Sequence, residues 1–177
     1  GIPYFYTIQK SFMHLHKILD ALQVDERDCG AACLAMVSAT FNENISISKI
    51  RELEKTSLDG STALGIKNAA ETLGFETKAI KANMTLFDNY KDIPYPFIVH
   101  VEKPDDGELL EHYYVVYKVS KHHIYIADPD PDVKKKKMSY KQFSKQWTGV
   151  ALFFAPSLEF RPNTDKQAGF KSFFPII

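Results

Sequence analysis

The stretch Gln23-Val24-Asp25-Glu26-Arg27-Asp28-Cys29-Gly30-Ala31-Ala32-Cys33-Leu34-Ala35-Met36 decides how this chain is read. Asp28 is a good N-cap, and Ala31 to Val37 is a run of strong helix formers with an apolar stripe, so a helix is predicted to start at Cys29. The first turn of a helix carries unpaired N–H groups and a positive partial charge, both of which stabilise a thiolate. Six residues upstream, the Gln23 amide is a candidate hydrogen-bond donor to an oxyanion beside the sulfur. Read alone, Cys29 is equally well a small buried hydrophobe, the usual fate of a free cysteine.

Two later segments bear on that choice. His112-Tyr113-Tyr114-Val115-Val116-Tyr117-Lys118-Val119 is a strand pattern of aromatic and β-branched residues that opens on a histidine. After a short turn, His123-Ile124-Tyr125-Ile126-Ala127 is the next strand, followed at once by Asp128-Pro129. In an antiparallel hairpin the start of one strand lies beside the end of the next, so His112 and Asp128 are expected together at one end of a sheet. A carboxylate there fixes the imidazole tautomer and leaves the other ring nitrogen for a thiol. A strand-end histidine and an Asp-Pro turn are each ordinary. The three residue types in the order Cys, His, Asp are the elements of a thiol nucleophile, its base and the group that orients the base.

A nucleophile at a helix start with a glutamine just before it is the arrangement of papain-like cysteine peptidases. More specifically, the chain resembles the N-terminal peptidase domain of ABC transporters that process and export bacteriocins and competence peptides, the double-glycine leader peptidases, streptococcal-type transporters above all. The resemblance rests on residues 23–30, on Gly60-Ser61-Thr62-Ala63-Leu64-Gly65-Ile66, His112-Tyr113-Tyr114, Ile126-Ala127-Asp128-Pro129-Asp130-Pro131 and Trp147-Thr148-Gly149, and covers about residues 23–156. It implies Cys29 as nucleophile, His112 as base, Asp128 as orienter and Gln23 as oxyanion donor. It also implies cleavage after Gly-Gly or Gly-Ala in a precursor whose leader binds as an amphipathic helix. The remaining expected partners are the transmembrane and ATPase domains of the same transporter, at the cytoplasmic face of the plasma membrane. A different reading is a cargo-docking domain without catalysis, as in related toxin exporters; those lack the nucleophile, and Cys29, His112 and Asp128 are all present here.

Composition narrows the remaining classes. With 177 residues and 45% hydrophobic content the chain can bury an ordinary core. Its zero net charge gives no footprint for nucleic acid. Two cysteines at i and i+4 are no disulfide framework, and no histidine pair of suitable spacing accompanies them for zinc, so no metal or other cofactor is expected. Cys33 is read as a core residue. Gly60 to Lys67 fails as a phosphate loop because Ile66, not lysine, follows the second glycine. Lys134-Lys135-Lys136-Lys137 is read as a solvated loop. No stretch approaches the roughly 20 apolar residues of a membrane span, and the first residues lack the basic start and apolar core of a signal peptide.

The expected fold is α+β: a papain-like fold with N-terminal helices, the nucleophile at a helix start, packed on an antiparallel sheet. Residues 1–22 are a lead-in segment, 23–156 the peptidase domain, and 157–177 a linker towards a transmembrane domain. After the Cys29 helix, helices are expected at Ser48 to Lys55 and Thr62 to Leu73, the latter capped by Asp59-Gly60-Ser61 and stopped by Gly74. Strands are expected at Phe75 to Ala79, Phe97 to Val101, His112 to Val119, His123 to Ala127 and Val150 to Phe154, with a helix from Ser139 to Trp147.

Overall fold

A computed structural model describes residues 29–41, 49–50, 52–53, 62–130 and 132–156. Helix α1 (Cys29–Thr40) begins at the expected residue. Its side chains are buried all round, Ala39 excepted, so it is a core helix without the single apolar stripe expected of a surface helix. The sequence CGAACLAMVSAT permits this because its polar side chains return to the helix's own carbonyls. Ser38 Oγ donates to Leu34 O at 2.8 Å and Thr40 Oγ1 to Val37 O at 2.6 Å.

Lys49, Ile50, Glu52 and Leu53 are helical, within the expected 48–55 segment; the rest of that segment lies outside the described residues. Helix α2 (Ala63–Thr72) is capped by Thr62, whose hydroxyl accepts from Gly65 N at 3.1 Å. Thr62 therefore does what was expected of residues 59–61, which lie outside the described set. Gly74 ends the helix at φ +97°, a backbone conformation that a Cβ disfavours.

Six strands follow: β1 (Phe75–Lys81), β2 (Phe97–Asp105), β3 (Glu108–Val119), β4 (His123–Ala127), β5 (Lys135–Ser139) and β6 (Trp147–Pro156). They form one antiparallel sheet in the order β1-β6-β2-β3-β4-β5. A 3-10 helix at Met84–Asn89 and helix α3 (Tyr140–Gln146) complete the described elements. Ser139 and Gln142 cap α3 reciprocally, at 3.1 and 3.0 Å, so the helix starts one residue later than expected.

Five of the six strands depart from the sequence reading, β1 and β6 only in length: β1 runs on to Lys81, and β6 spans Trp147, expected to end the preceding helix, to Pro156. The lysine run is not a loop: Lys135 to Lys137 lie in β5, exposed, while Met138 is buried. Lysines on a strand at the side of a sheet keep it soluble and discourage further pairing. The β2–β3 hairpin is longer than expected on both arms and turns through Asp106 (φ +45°) and Gly107 (φ +85°), a two-residue loop between the paired Asp105 and Glu108. Both central residues have positive φ, the geometry that matches the right-handed twist of the flanking strands.

The sheet is covered on both faces. Helices α1 and α2 pack on one, where Cys33, Leu34, Val37, Ile66 and Ala70 meet Tyr113, Val115, Tyr117 and Phe154. On the other face Phe87 of the 3-10 helix sits among Phe97, Phe143 and Trp147, over Tyr114, Val116, Ile124 and Ile126. Alternation along β3 thus sends Tyr113, Val115 and Tyr117 towards the helices and Tyr114 and Val116 away from them.

Candidate active site

Cys29 is the first residue of α1 and is 8% exposed. One turn further on, the Cys33 thiol approaches the carbonyl of Tyr113 at 3.5 Å. Tyr113 follows His112 in β3, so this contact seats α1 on the strand that carries His112. Cys33 is fully buried, in the packing position expected of it.

His112 lies inside β3, four residues after its start, because the hairpin continues beyond the expected strand end. Val115 pairs with Ala127, the last residue of β4, so Asp128 leaves the sheet beside Tyr114 and diagonally from His112. That diagonal is closed by a hydrogen bond: His112 Nε2 to Asp128 Oδ1, 2.6 Å. His112 and Asp128 are both buried, Asp128 completely. The structure therefore brings these two predicted residues into contact, and packs the Cys29 helix, through Cys33, against Tyr113 next to His112 in the chain. Gln23 lies outside the described residues.

Asp128 is held from three sides. Oδ1 also accepts from the backbone N–H of Asp130 at 2.9 Å, and Oδ2 faces Lys103 Nζ at 3.4 Å. Its own N–H donates to Lys134 O at 2.6 Å. Burial pushes the carboxyl pKa up, but the His112 hydrogen bond and charge, the Asp130 N–H and Lys103 together hold it below the ordinary aspartate value. Asp128 is thus a carboxylate at neutral pH. With Nε2 engaged by a carboxylate, the imidazole carries its proton there when neutral, which leaves Nδ1 as the basic nitrogen.

Tyr114 supports the pair. Its ring meets that of His112 edge-on at 5.4 Å, and its hydroxyl donates to Gln146 Oε1 at 2.8 Å. Burial, with the charges of Asp128 and Asp130, raises its pKa well above the ordinary phenol value, so it stays protonated. Neither Lys103 nor this use of Tyr114 was anticipated from sequence. The signal for Lys103 was Asp106-Gly107: a hairpin turning there pairs Val101 with His112 and puts Lys103 two residues further along the same face. Among the described residues no group of three or more His, Cys, Asp and Glu side chains is placed to hold a metal ion. Nor is any described helix long and apolar enough to cross a membrane.

Comparison with known proteins bears on the family and the fold. The Peptidase C39 family model matches residues 18–159. The chain belongs to the peptidase C39 family. It is 50% identical over 155 residues to the transport/processing ATP-binding protein ComA of Streptococcus pneumoniae, a match covering 88% of this chain and 21% of ComA. The C39 chain thus spans about a fifth of the length of that relative. Among solved structures, the peptidase domain of Streptococcus ComA, described as a bifunctional ABC transporter involved in quorum sensing, superposes with a TM-score of 0.68 at 53% identity. That match covers 76% of this chain and 95% of the ComA domain. A double-glycine motif protease from an AMS/PCAT transporter, solved with its leader peptide, gives a TM-score of 0.63 at 28% identity, over 76% and 88% of the two chains. The α+β fold and the cysteine peptidase class expected from the sequence are those of these C39 domains.

Proposed function

We propose that this C39 domain removes the leader of a secreted peptide precursor by cutting after a Gly-Gly or Gly-Ala pair, as part of an ABC transporter that exports the product. The observation that carries the reading is the enclosed His112–Asp128 pair, 2.6 Å apart, next in the chain to Tyr113, on which the Cys29 helix packs. A docking domain that only binds cargo has no use for an ionised carboxylate buried against an imidazole.

In the proposed reaction Cys29 is the nucleophile. His112 takes its proton at Nδ1, and Asp128 orients the ring and stabilises the imidazolium. The thiolate attacks the carbonyl carbon of the last leader residue. The Cys29 N–H and the Gln23 amide hold the resulting oxyanion, a role in which one donor is worth roughly 3 kcal/mol. His112 then protonates the departing amine, which becomes the N-terminus of the exported peptide. Water, deprotonated by His112, releases the leader as a free acid. The side chains and water suffice for this chemistry without a cofactor.

Glycines at the cut suit a narrow approach, because their backbone passes where a Cβ would collide. The leader is proposed to bind as an amphipathic helix through its apolar face, each well-buried leucine-sized side chain supplying roughly 1.5 to 3 kcal/mol. The domain would act at the cytoplasmic face of the membrane, where precursor is made. Kinetics on synthetic precursors test this reading. Alanine at one or two apolar leader positions is expected to raise KM, and a bulky residue at the first glycine to abolish turnover. A short peptide spanning only the Gly-Gly bond, cleaved as well as the full leader, would contradict it.

A further inference from the structure

A cation stands behind the His112–Asp128 pair. Asp128 has no exposed surface, and its Oδ1 already serves His112 and the Asp130 N–H. Its Oδ2 is thereby committed to the protein interior, where a charged oxygen without a donor is strongly disfavoured. The side chain that meets it is Lys103 of β2, with Nζ at 3.4 Å. The same ammonium lies 5.8 Å from the centre of the Tyr114 ring, within range of a cation–π attraction. Tyr114 is in turn fixed by Gln146 and meets His112 edge-on. His112, Asp128, Lys103 and Tyr114 thus form a closed circuit of four contacts drawn from β2, β3 and the end of β4.

We infer that Lys103 is a positioning residue of the peptidase site: its ammonium holds Asp128 Oδ2, so that Oδ1 presents to His112 Nε2 in one fixed orientation. The inference rests on the roles proposed above for His112 and Asp128. A carboxylate anchored by Oδ1 alone can pivot about its Cβ–Cγ bond and trade oxygens, and the imidazole it steers would lose its fixed aim. Anchored at both oxygens it cannot. Lys103 is 24% exposed at its side chain, so its charge is partly solvated while the oxygen it meets is not. That asymmetry lets a lysine serve here without the full cost of burying an ion pair.

The charge has a second consequence. Among the described residues, the charged and titratable side chains that act on Asp128 or on the tyrosine beside it are His112 and Tyr114 of β3, Lys103 of β2 and Asp130 of the following turn. The Lys103 charge favours the ionised form of Asp128, so removing it makes protonation of Asp128 easier. The acid limb of the rate profile, to which protonation of Asp128 contributes, then moves to higher pH.

The test is the pH dependence of kcat and kcat/KM for the wild-type domain and for Lys103→Met, Lys103→Gln and Lys103→Arg. The substrate is a synthetic precursor whose apolar leader ends in Gly-Gly, and far-UV circular dichroism follows the fold of each variant. The two neutral variants are expected to lose about tenfold in kcat, the scale of groups that orient a site's own ligands. KM is expected to stay within about twofold, with the acid limb displaced to higher pH. Lys103→Arg, which keeps the charge and can still donate to Oδ2, is expected to restore most of kcat and the wild-type acid limb. Neutral variants that match the wild type, a loss confined to KM, or an arginine variant no better than methionine would each overturn the inference. If the wild-type domain itself failed to cut the precursor, the peptidase reading would fall first and the role of Lys103 with it.

Discussion

His112 and Asp128 are 16 positions apart in the chain, and His112 Nε2 lies 2.6 Å from Asp128 Oδ1 inside the protein. The turn between β3 and β4 brings them into reach, and the register Val115 to Ala127 sets the diagonal that joins them. The consequences of this contact can be measured separately for catalysis and for stability.

For catalysis, Asp128→Asn keeps a hydrogen-bonding partner for His112 but favours the opposite tautomer, with the proton on Nδ1, where the base is needed. It is expected to lower kcat by roughly a hundredfold or more with little change in KM. Steady-state kinetics on the leader-bearing precursor check this; an effect on KM alone would contradict the orienting role.

For stability, the sign follows from the lowered pKa of Asp128. Burial acts against the carboxylate, but its hydrogen bonds and the charges of His112 and Lys103 outweigh it, so the native value lies below the unfolded one. The carboxylate therefore contributes stability in full above the unfolded value, near pH 4, and loses that contribution as the pH falls through the native value. Wild type is expected to melt above Asp128→Asn at pH 7, and the gap in Tm should narrow below about pH 4. A gap constant from pH 7 to pH 3 would contradict this.

Gly149 and Gly107 share a left-handed backbone, with φ of +93° and +85°, but differ in surroundings. A Cβ on Gly149 would stand 2.6 Å from the carbonyl oxygen of Ala82, whose N–H also bonds to Gly149 O at 2.8 Å. On Gly107 it would meet nothing within 4 Å. Gly107→Ala is expected to cost about 1 kcal/mol from backbone strain alone, and Gly149→Ala at least about 2 kcal/mol more because the β1–β6 connection must open. Urea unfolding of the two variants gives the comparison.

Cys33 separates packing from chemistry. It is fully buried against Tyr113 O, and Cys33→Ala removes one sulfur from the core. The variant is expected to lose about 1 kcal/mol of stability and to keep most of its cleavage rate. Loss of activity with an unchanged Tm would assign Cys33 a part in the reaction that its position gives no reason for.

Much of the fold was legible because the relevant signals are local. The α1 helix, the β4 limits from His123 to Ala127 and the Gly74 stop follow from helix-forming and β-branched runs and from a glycine whose φ is positive. The His112–Asp128 contact was legible from strand direction alone. What escaped depends on pairing partners. Lys135 to Lys137 are polar by composition and become a strand only because β4 offers them a ladder. Lys103 joins the site only once the Asp106-Gly107 turn extends β2 and β3 past His112, and that dipeptide is a weaker signal than the aromatic pattern beside it. The all-round burial of α1 also escaped, since a stripe of apolar residues does not reveal that the small residues between them face other layers of the fold.

The most direct test of the central claim is the mass of the products when a precursor with a Gly-Gly leader is incubated with the wild-type domain and with Cys29→Ala. Cys29 starts a helix that is otherwise held by buried apolar contacts, so the alanine variant is expected to fold and to keep its circular dichroism spectrum. The predicted result is two fragments from the wild type, one ending in Gly-Gly and one beginning with the next residue, and intact precursor from Cys29→Ala. Cleavage by the Cys29→Ala domain at the same bond, or wild-type cleavage only at other bonds, would contradict the account.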